Sequence, residues 1–193
     1  MSKERLVAFS DGVIAVLITI IVLELRAPTG SDWASLGPIV PVFLTYVMSF
    51  VFLGIYWNNH HHMLQVTETI NGKILWANLH LLFWLSLVPF VTTWMGENHY
   101  APIPTAAYGV VLLGAAISYS ILLKEILAEQ GPNSMLAAAV GSDRKGRMSL
   151  VLYLLAIPLA FVHPAIADTV YVAVALMWLV PDPRIEKRIS HGQ

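Results

Sequence analysis

Apolar residues run through this chain in long blocks, interrupted by polar residues at a few narrow places. Val7 to Leu25 is apolar except for Ser10, Asp11, Thr19 and Glu24. A spanning helix needs about 20 mostly apolar residues. The blocks predict six spans, over residues 5–26, 38–62, 73–95, 104–127, 147–163 and 165–181. The breaks carry loop chemistry: Pro28-Thr-Gly30-Ser-Asp32, then Gly96-Glu-Asn-His99 with Pro102 and Pro104, then Gly131-Pro-Asn-Ser134. Leu136-Ala-Ala-Ala-Val140 reads as a short interfacial turn. His163-Pro164 fits either a tight hairpin or a kink. The fold class is all-α integral membrane protein, one six-helix domain over 1–193.

Composition agrees with the pattern. The chain has 193 residues, 57% hydrophobic and 12% charged, against about 25% charged in a soluble domain. Six spans nearly exhaust that length, so no soluble catalytic domain fits beside them. With no cysteine, disulfides, thiolate metal sites and thiol catalysis are excluded. The basic start (Lys3, Arg5) resembles a signal peptide, but Asp11 interrupts its apolar region and no small-residue cleavage site follows. The first helix reads as retained.

The charges are sorted by loop. With the N-terminus in the cytoplasm, the inside set is Lys3, Arg5, Lys73, Lys124, Arg144, Lys145, Arg147, Arg184, Lys187 and Arg188, and the outside set is Arg26 alone. That asymmetry predicts an even span count with both termini cytoplasmic. No internal repeat is visible. One six-helix unit makes a poor pore by itself, and assembly around an axis is the natural route to one.

The first helix holds the chemistry. An acid within a span costs about 2.5–3.5 kcal/mol at mid-helix, so Asp11 needs a partner or water. At 100° per residue, Arg5, Phe9, Gly12, Val16, Thr19, Ile20 and Leu23 fall along one face, and Ser10 and Asp11 lie to its side. Such a stripe is either a packing seam or a pore wall. As a pore wall, Thr19 would offer a hydroxyl to a cation. Val16, Ile20 and Leu23 would then form rings that gate by dewetting.

Arg5-x-x-x-Phe9-Ser10-Asp11, continuing as Gly-Val-Ile-Ala-Val-Leu-Ile-Thr-Ile-Ile-Val-Leu-Glu-Leu, resembles the signature first helix of the prokaryotic branch of the transmembrane protein 175 potassium-channel family. Trp57-Asn-Asn-His-His-His62, Asn78 and Leu87-Val-Pro-Phe-Val-Thr92 also resemble its pattern. The resemblance implies a homotetramer of six-helix subunits in the bacterial inner membrane, with the first helices lining a central pore. It implies potassium as the permeant ion, no cofactor and no Thr-Val-Gly-Tyr-Gly filter. The family's constriction falls on Val16, Ile20 and Leu23, and its selectivity-linked threonine on Thr19. Preference for potassium over sodium is expected to be modest.

The remaining polar residues have plainer expectations. Arg5, Ser10 and Asp11 are expected to pair with other helices and hold the pore helix, with Asn58, His60 and His61 as candidate partners. Three adjacent histidines splay by 100° each and cannot share one metal ion. They are expected to cap the cytoplasmic end of the second span. His80, Ser86 and Thr92 are expected to donate between helices, and His163 and Asp168 to sit at the interface or pore entrance. Trp33, Trp76, Trp94 and Trp178 match aromatic belts. Arg144-Lys-Gly-Arg147 reads as a topology determinant that also contacts anionic lipid. The rival functions are a proton- or cation-coupled transporter using Asp11 and a membrane enzyme using the histidines.

Overall fold

A computed structural model describes residues 2–132, 134, 136–137 and 143–179, and the described residues are helical almost throughout. The helices are α1 (Lys3–Leu23), α2 (Val40–Gln65), α3 (Gly72–Ser86), α4 (Val88–Glu97), α5 (Pro102–Gln130), α6 (Arg144–Val162) and α7 (Pro164–Leu179). A 3-10 helix, Trp33–Ile39, leads into α2. Asp32 starts it by accepting from the Ser35 backbone N–H at 3.0 Å, and Pro41 sits in the first turn of α2, where a missing N–H is tolerated.

Several helix ends differ from the hydropathy pattern by up to three residues, α1 stopping at Leu23, α5 running from Pro102 to Gln130 and α6 starting at Arg144, and two differences bear on the site. The second span continues to Gln65 rather than ending at 62. The block 73–95 is two helices, not one, parted at Leu87. Pro89 supplies no N–H to the carbonyl four residues back. At the same place the Leu87 N–H turns to the Trp84 carbonyl at 3.2 Å. Hydropathy does not register the break, because the residues around it are as apolar as the rest.

His163-Pro164 is a hairpin. His163 is extended (φ −161°, ψ 118°), and α6 and α7 fold back on each other. Trp178 Nε1 donates to Ser149 Oγ at 2.8 Å, and the Tyr153 and Tyr171 rings meet at a 51° tilt with centroids 6.3 Å apart. Asp143 caps α6 by accepting from the Gly146 N–H at 3.1 Å. Five of the described helical segments are long and apolar enough to cross a membrane, counting α3 and α4 as one; α7 is apolar but shorter. The sixth predicted span ran to 181, and residues 180 and 181 lie outside the described residues, as do Ala138–Val140 of the expected interfacial turn and Arg184, Lys187 and Arg188 of the inside set. Leu136 and Ala137 are helical.

The packing order places the site. α1 packs against α2, α3 and α4; α5 packs against α3 and α4 on one side and the α6–α7 hairpin on the other. α1 therefore forms one edge of the bundle. Close helix crossings hold the middle together. A Cβ on Gly96 of α4 would lie 2.8 Å from the Val42 Cα of α2, so that contact requires glycine. Ser49 bonds both Thr92 (2.6 Å) and Tyr108 (2.9 Å), joining α2, α4 and α5 through buried hydroxyls. Such pairing spares each group the cost of an unmet polar atom in hydrocarbon.

Candidate ion pathway along the first helix

Periodicity divides α1 into two faces, and the fold treats them oppositely. Leu6, Ser10, Ile14, Leu17 and Ile21 are buried against the subunit. The stripe of the other face is open: Phe9 is 50% exposed, Val16 53%, Ile20 37% and Leu23 76%. Gly12 and Thr19 are exposed between them, with Arg5 at the basic end. A Cβ at Gly12 would meet nothing within 4 Å. Val16, Thr19, Ile20 and Leu23 thus share a surface that the single chain leaves uncovered. Its outer end runs into an open groove between α1 and α4 lined by Ile20, Glu24, Phe90 and Glu97.

Thr19 is oriented by its own helix. Its Oγ1 lies 3.1 Å from the Ala15 carbonyl and 2.9 Å from that of Val16. The hydroxyl proton is directed back at the backbone, and the oxygen lone pairs remain for the open side.

The opposite face is anchored by a buried polar chain. Asn78 Nδ2 on α3 donates to Ser10 Oγ at 2.9 Å. The Asn78 Oδ1 accepts from His60 Nε2 on α2 at 2.7 Å, which places the proton of that ring on Nε2. Ser10, His60 and Asn78 are all buried. Asp11, half-buried beside them, accepts from the Trp57 indole N–H at 3.0 Å. Lys3 Nζ completes the mounting with a 2.7 Å bond to the Gln65 carbonyl.

Several expectations change here. His60 does not cap a helix end: α2 runs five residues past it, so its ring lies inside the bundle. His61 reaches the network only by stacking on Trp57, ring centroids 5.8 Å apart. Asn58 makes no side-chain bond among the described residues, and Arg5 is exposed without an in-chain partner among them. Trp57 and Asn78, absent from the candidate partners, hold the two central positions. An antiparallel α1–α2 pair sets Asp11 level with Trp57, a signal that appears once both helices are aligned. No grouping of three or more metal-ligating side chains occurs among the described residues.

Further out, Thr92 donates to the Val88 carbonyl of its own helix and so accepts from Ser49 rather than donating across helices, and His80 Nδ1 meets Ser118 Oγ of α5 at 3.2 Å. Ser86 instead donates to the Phe83 carbonyl of its own helix. Asp168 is half-buried on α7, a helix that packs against α2, α5 and α6. His163 is exposed at the hairpin turn.

Residues 5–89 match the family model described as Endosomal/lysosomal potassium channel TMEM175. A potassium channel of Chryseobacterium sp. (strain P1-3) is 54% identical over 192 residues, covering 100% of both chains. The chain belongs to the TMEM175 family. A second bacterial member, a potassium channel of Chamaesiphon minutus, is 30% identical over 173 residues, 82% of this chain and 84% of that one. The crystal structure of a lysosomal potassium-selective channel TMEM175 homolog from Chamaesiphon minutus superposes with a TM-score of 0.80 at 25% identity, covering 93% of this chain and 97% of that one. The Homo sapiens relative, named an endosomal/lysosomal proton channel, is 35% identical over 96 residues, 43% of this chain and 19% of that protein. The matched segment 5–89 holds α1 from Arg5 onward with Ser10, Asp11, Trp57, His60 and Asn78, while Lys3 precedes it and α5, α6 and α7 lie beyond it. This is a family of channels, not of enzymes.

Proposed function

We propose that the chain forms a homotetrameric, potassium-permeable channel of the bacterial inner membrane, with both termini in the cytoplasm. Four copies arranged about an axis would each turn the open face of α1 inward. Val16, Ile20 and Leu23 then make stacked apolar rings, and Thr19 adds a ring of hydroxyl oxygens between them. The observation that carries this reading is the uncovered stripe of α1, fixed in orientation by the Ser10–Asn78–His60 chain and the Asp11–Trp57 bond behind it. Relatives named potassium channels and the basic-end charge asymmetry support it as well.

Selectivity follows from dehydration. Potassium gives up its hydration shell more easily than sodium, so an apolar constriction favours it without a carbonyl filter. The preference is modest, because few oxygens replace the lost water. Asp11 serves the mounting and not the pathway: it lies off the open stripe and is already bonded.

Bi-ionic recording from purified protein in bilayers, wild type beside Thr19→Ala, tests the reading. Ohmic current reversing toward the potassium potential is expected, with weaker preference in the variant. Absence of current removes the channel, and unchanged selectivity removes the role of Thr19. Saturable flux that follows the pH gradient and vanishes in Asp11→Asn would establish the transporter instead.

A further inference from the structure

α1 has two flanks, and they differ in shape. On one it packs against α2, tied by the Asp11–Trp57 bond. On the other it stands off from α4 and leaves an open groove of about 550 Å³. No α2 residue lines that groove, so it opens on the flank away from α2. Its walls are Leu17 and Ile20 of α1 with Phe90 and Trp94 of α4, whose rings lie 5.8 Å apart. Glu24 and Glu97 stand exposed at its outer rim. Ile20 belongs both to this groove and to the open stripe.

α2 carries the matching surface. Thr45, Ser49 and Phe52 are buried in their own subunit, while Phe43, Leu44, Val47 and Phe50 are exposed on the opposite face. The heights agree. Ten residues back from Trp57 is Val47, and ten residues on from Asp11 is Ile21. Antiparallel helices rise equally, about 1.5 Å per residue, so Val47 stands level with Ile21. Ser49 bonds Thr92 and Gly96 abuts Val42, which sets Trp94 near the height of Val47 and Phe90 near that of Phe50. Groove and stripe therefore share one depth but lie on opposite flanks of α1, where one chain cannot join them. Rotation about an axis along the membrane normal preserves depth. A surface and its complement on opposite flanks make a head-to-tail contact, which closes into a ring.

We propose that the outer half of α2 in one copy, Phe43 to Phe50, seats in the α1–α4 groove of the next copy. The segment suits the groove chemically. Val40 to Phe50 carries no charged side chain, so it enters between apolar walls and leaves both rim carboxylates in water. Phe43 and Phe50 meet Phe90 and Trp94, and aromatic pairs add about 0.5–1.5 kcal/mol beyond their buried area. With α1 at an axis, packed helices lie about 8–10 Å apart, so the flank of each α1 is covered by protein and not by lipid. The neighbouring copy then braces Ile20 from behind. This contact rests on the reading that α1 faces an axis, and its test is separate from conduction.

The chain has no cysteine, so introduced pairs report contacts without background. Val47→Cys with Trp94→Cys, and Phe50→Cys with Phe90→Cys, are oxidised in isolated membranes. A disulfide needs Cα atoms about 4.4–6.8 Å apart. At least one pair is expected to cross-link, with products running from dimer to tetramer as a head-to-tail ring requires. Val47→Cys with Leu154→Cys, the latter exposed on α6, should stay monomeric. Phe43→Ala with Phe50→Ala should lower the tetramer in native mass spectra several-fold while circular dichroism stays helical. Products that stop at the dimer indicate a two-fold contact and overturn the proposal. So does a tetrameric wild type in which neither pair cross-links. A monomeric wild type overturns the axial reading together with this contact. Cross-linked tetramers without current remove conduction alone and support the contact.

Discussion

Thr19 directs its hydroxyl proton at the Ala15 and Val16 carbonyls, so the oxygen it offers to the open face is an acceptor. Thr19→Val keeps the shape and removes that oxygen. Current should persist with potassium-to-sodium preference reduced several-fold, read as a shift in reversal potential. The polar chain behind α1 predicts a different phenotype. Asn78→Leu leaves the Ser10 hydroxyl and the His60 Nε2–H buried and unpaired, each costing about 1–3 kcal/mol. Thermal stability and the yield of assembled channel should fall, with selectivity unchanged in the fraction that assembles. Trp57→Phe removes the donor to half-buried Asp11 and should cost about 1–2 kcal/mol by the same measure. Asp11 was legible as a buried acid needing a partner. Its partner was not, because a tryptophan at the end of another span looks like an interfacial anchor until the two helices are set side by side.

At the scale of elements, the glycine of α4 is the sharpest constraint. Gly96→Ala drives a methyl against the Val42 backbone of α2, and overpacking of this kind costs about 1–3 kcal/mol. A lowered unfolding midpoint in detergent would check it. Periodicity of 3.6 residues grouped the α1 stripe but left open whether it was a packing seam or an open face, because α1 is apolar nearly all round. Only the packing of Leu6, Ser10, Ile14, Leu17 and Ile21 against the subunit shows which face is free. The break at Leu87 was written in Pro89 yet hidden by continuous hydropathy. The hairpin at His163 needed the packing of Trp178 on Ser149 to separate it from a kink. His60 was misjudged because α2 continues past the point where the apolar block ends.

Across the whole molecule, the two edges divide the work. One edge carries α1 and its mounting, all but Lys3 within the segment shared with the family model; the other carries the α6–α7 hairpin. In the proposed assembly about an axis the second edge faces lipid, so changes there should alter stability before conduction. Replacing the rings themselves should do the reverse. Ile20→Ser or Val16→Ser wets the proposed constriction, and single-channel recording should show higher conductance or open probability with a weaker potassium preference.

The open face of α1 also constrains protons. From Phe9 to Leu23 it presents no titratable side chain, and its one hydroxyl proton is turned toward the backbone. A proton crossing there cannot be handed from residue to residue. It has to hop along an unbroken file of water, and the apolar rings proposed to gate cations would cut that file. Acid leak and cation conductance should therefore open and close together, rising in parallel when either ring is made polar.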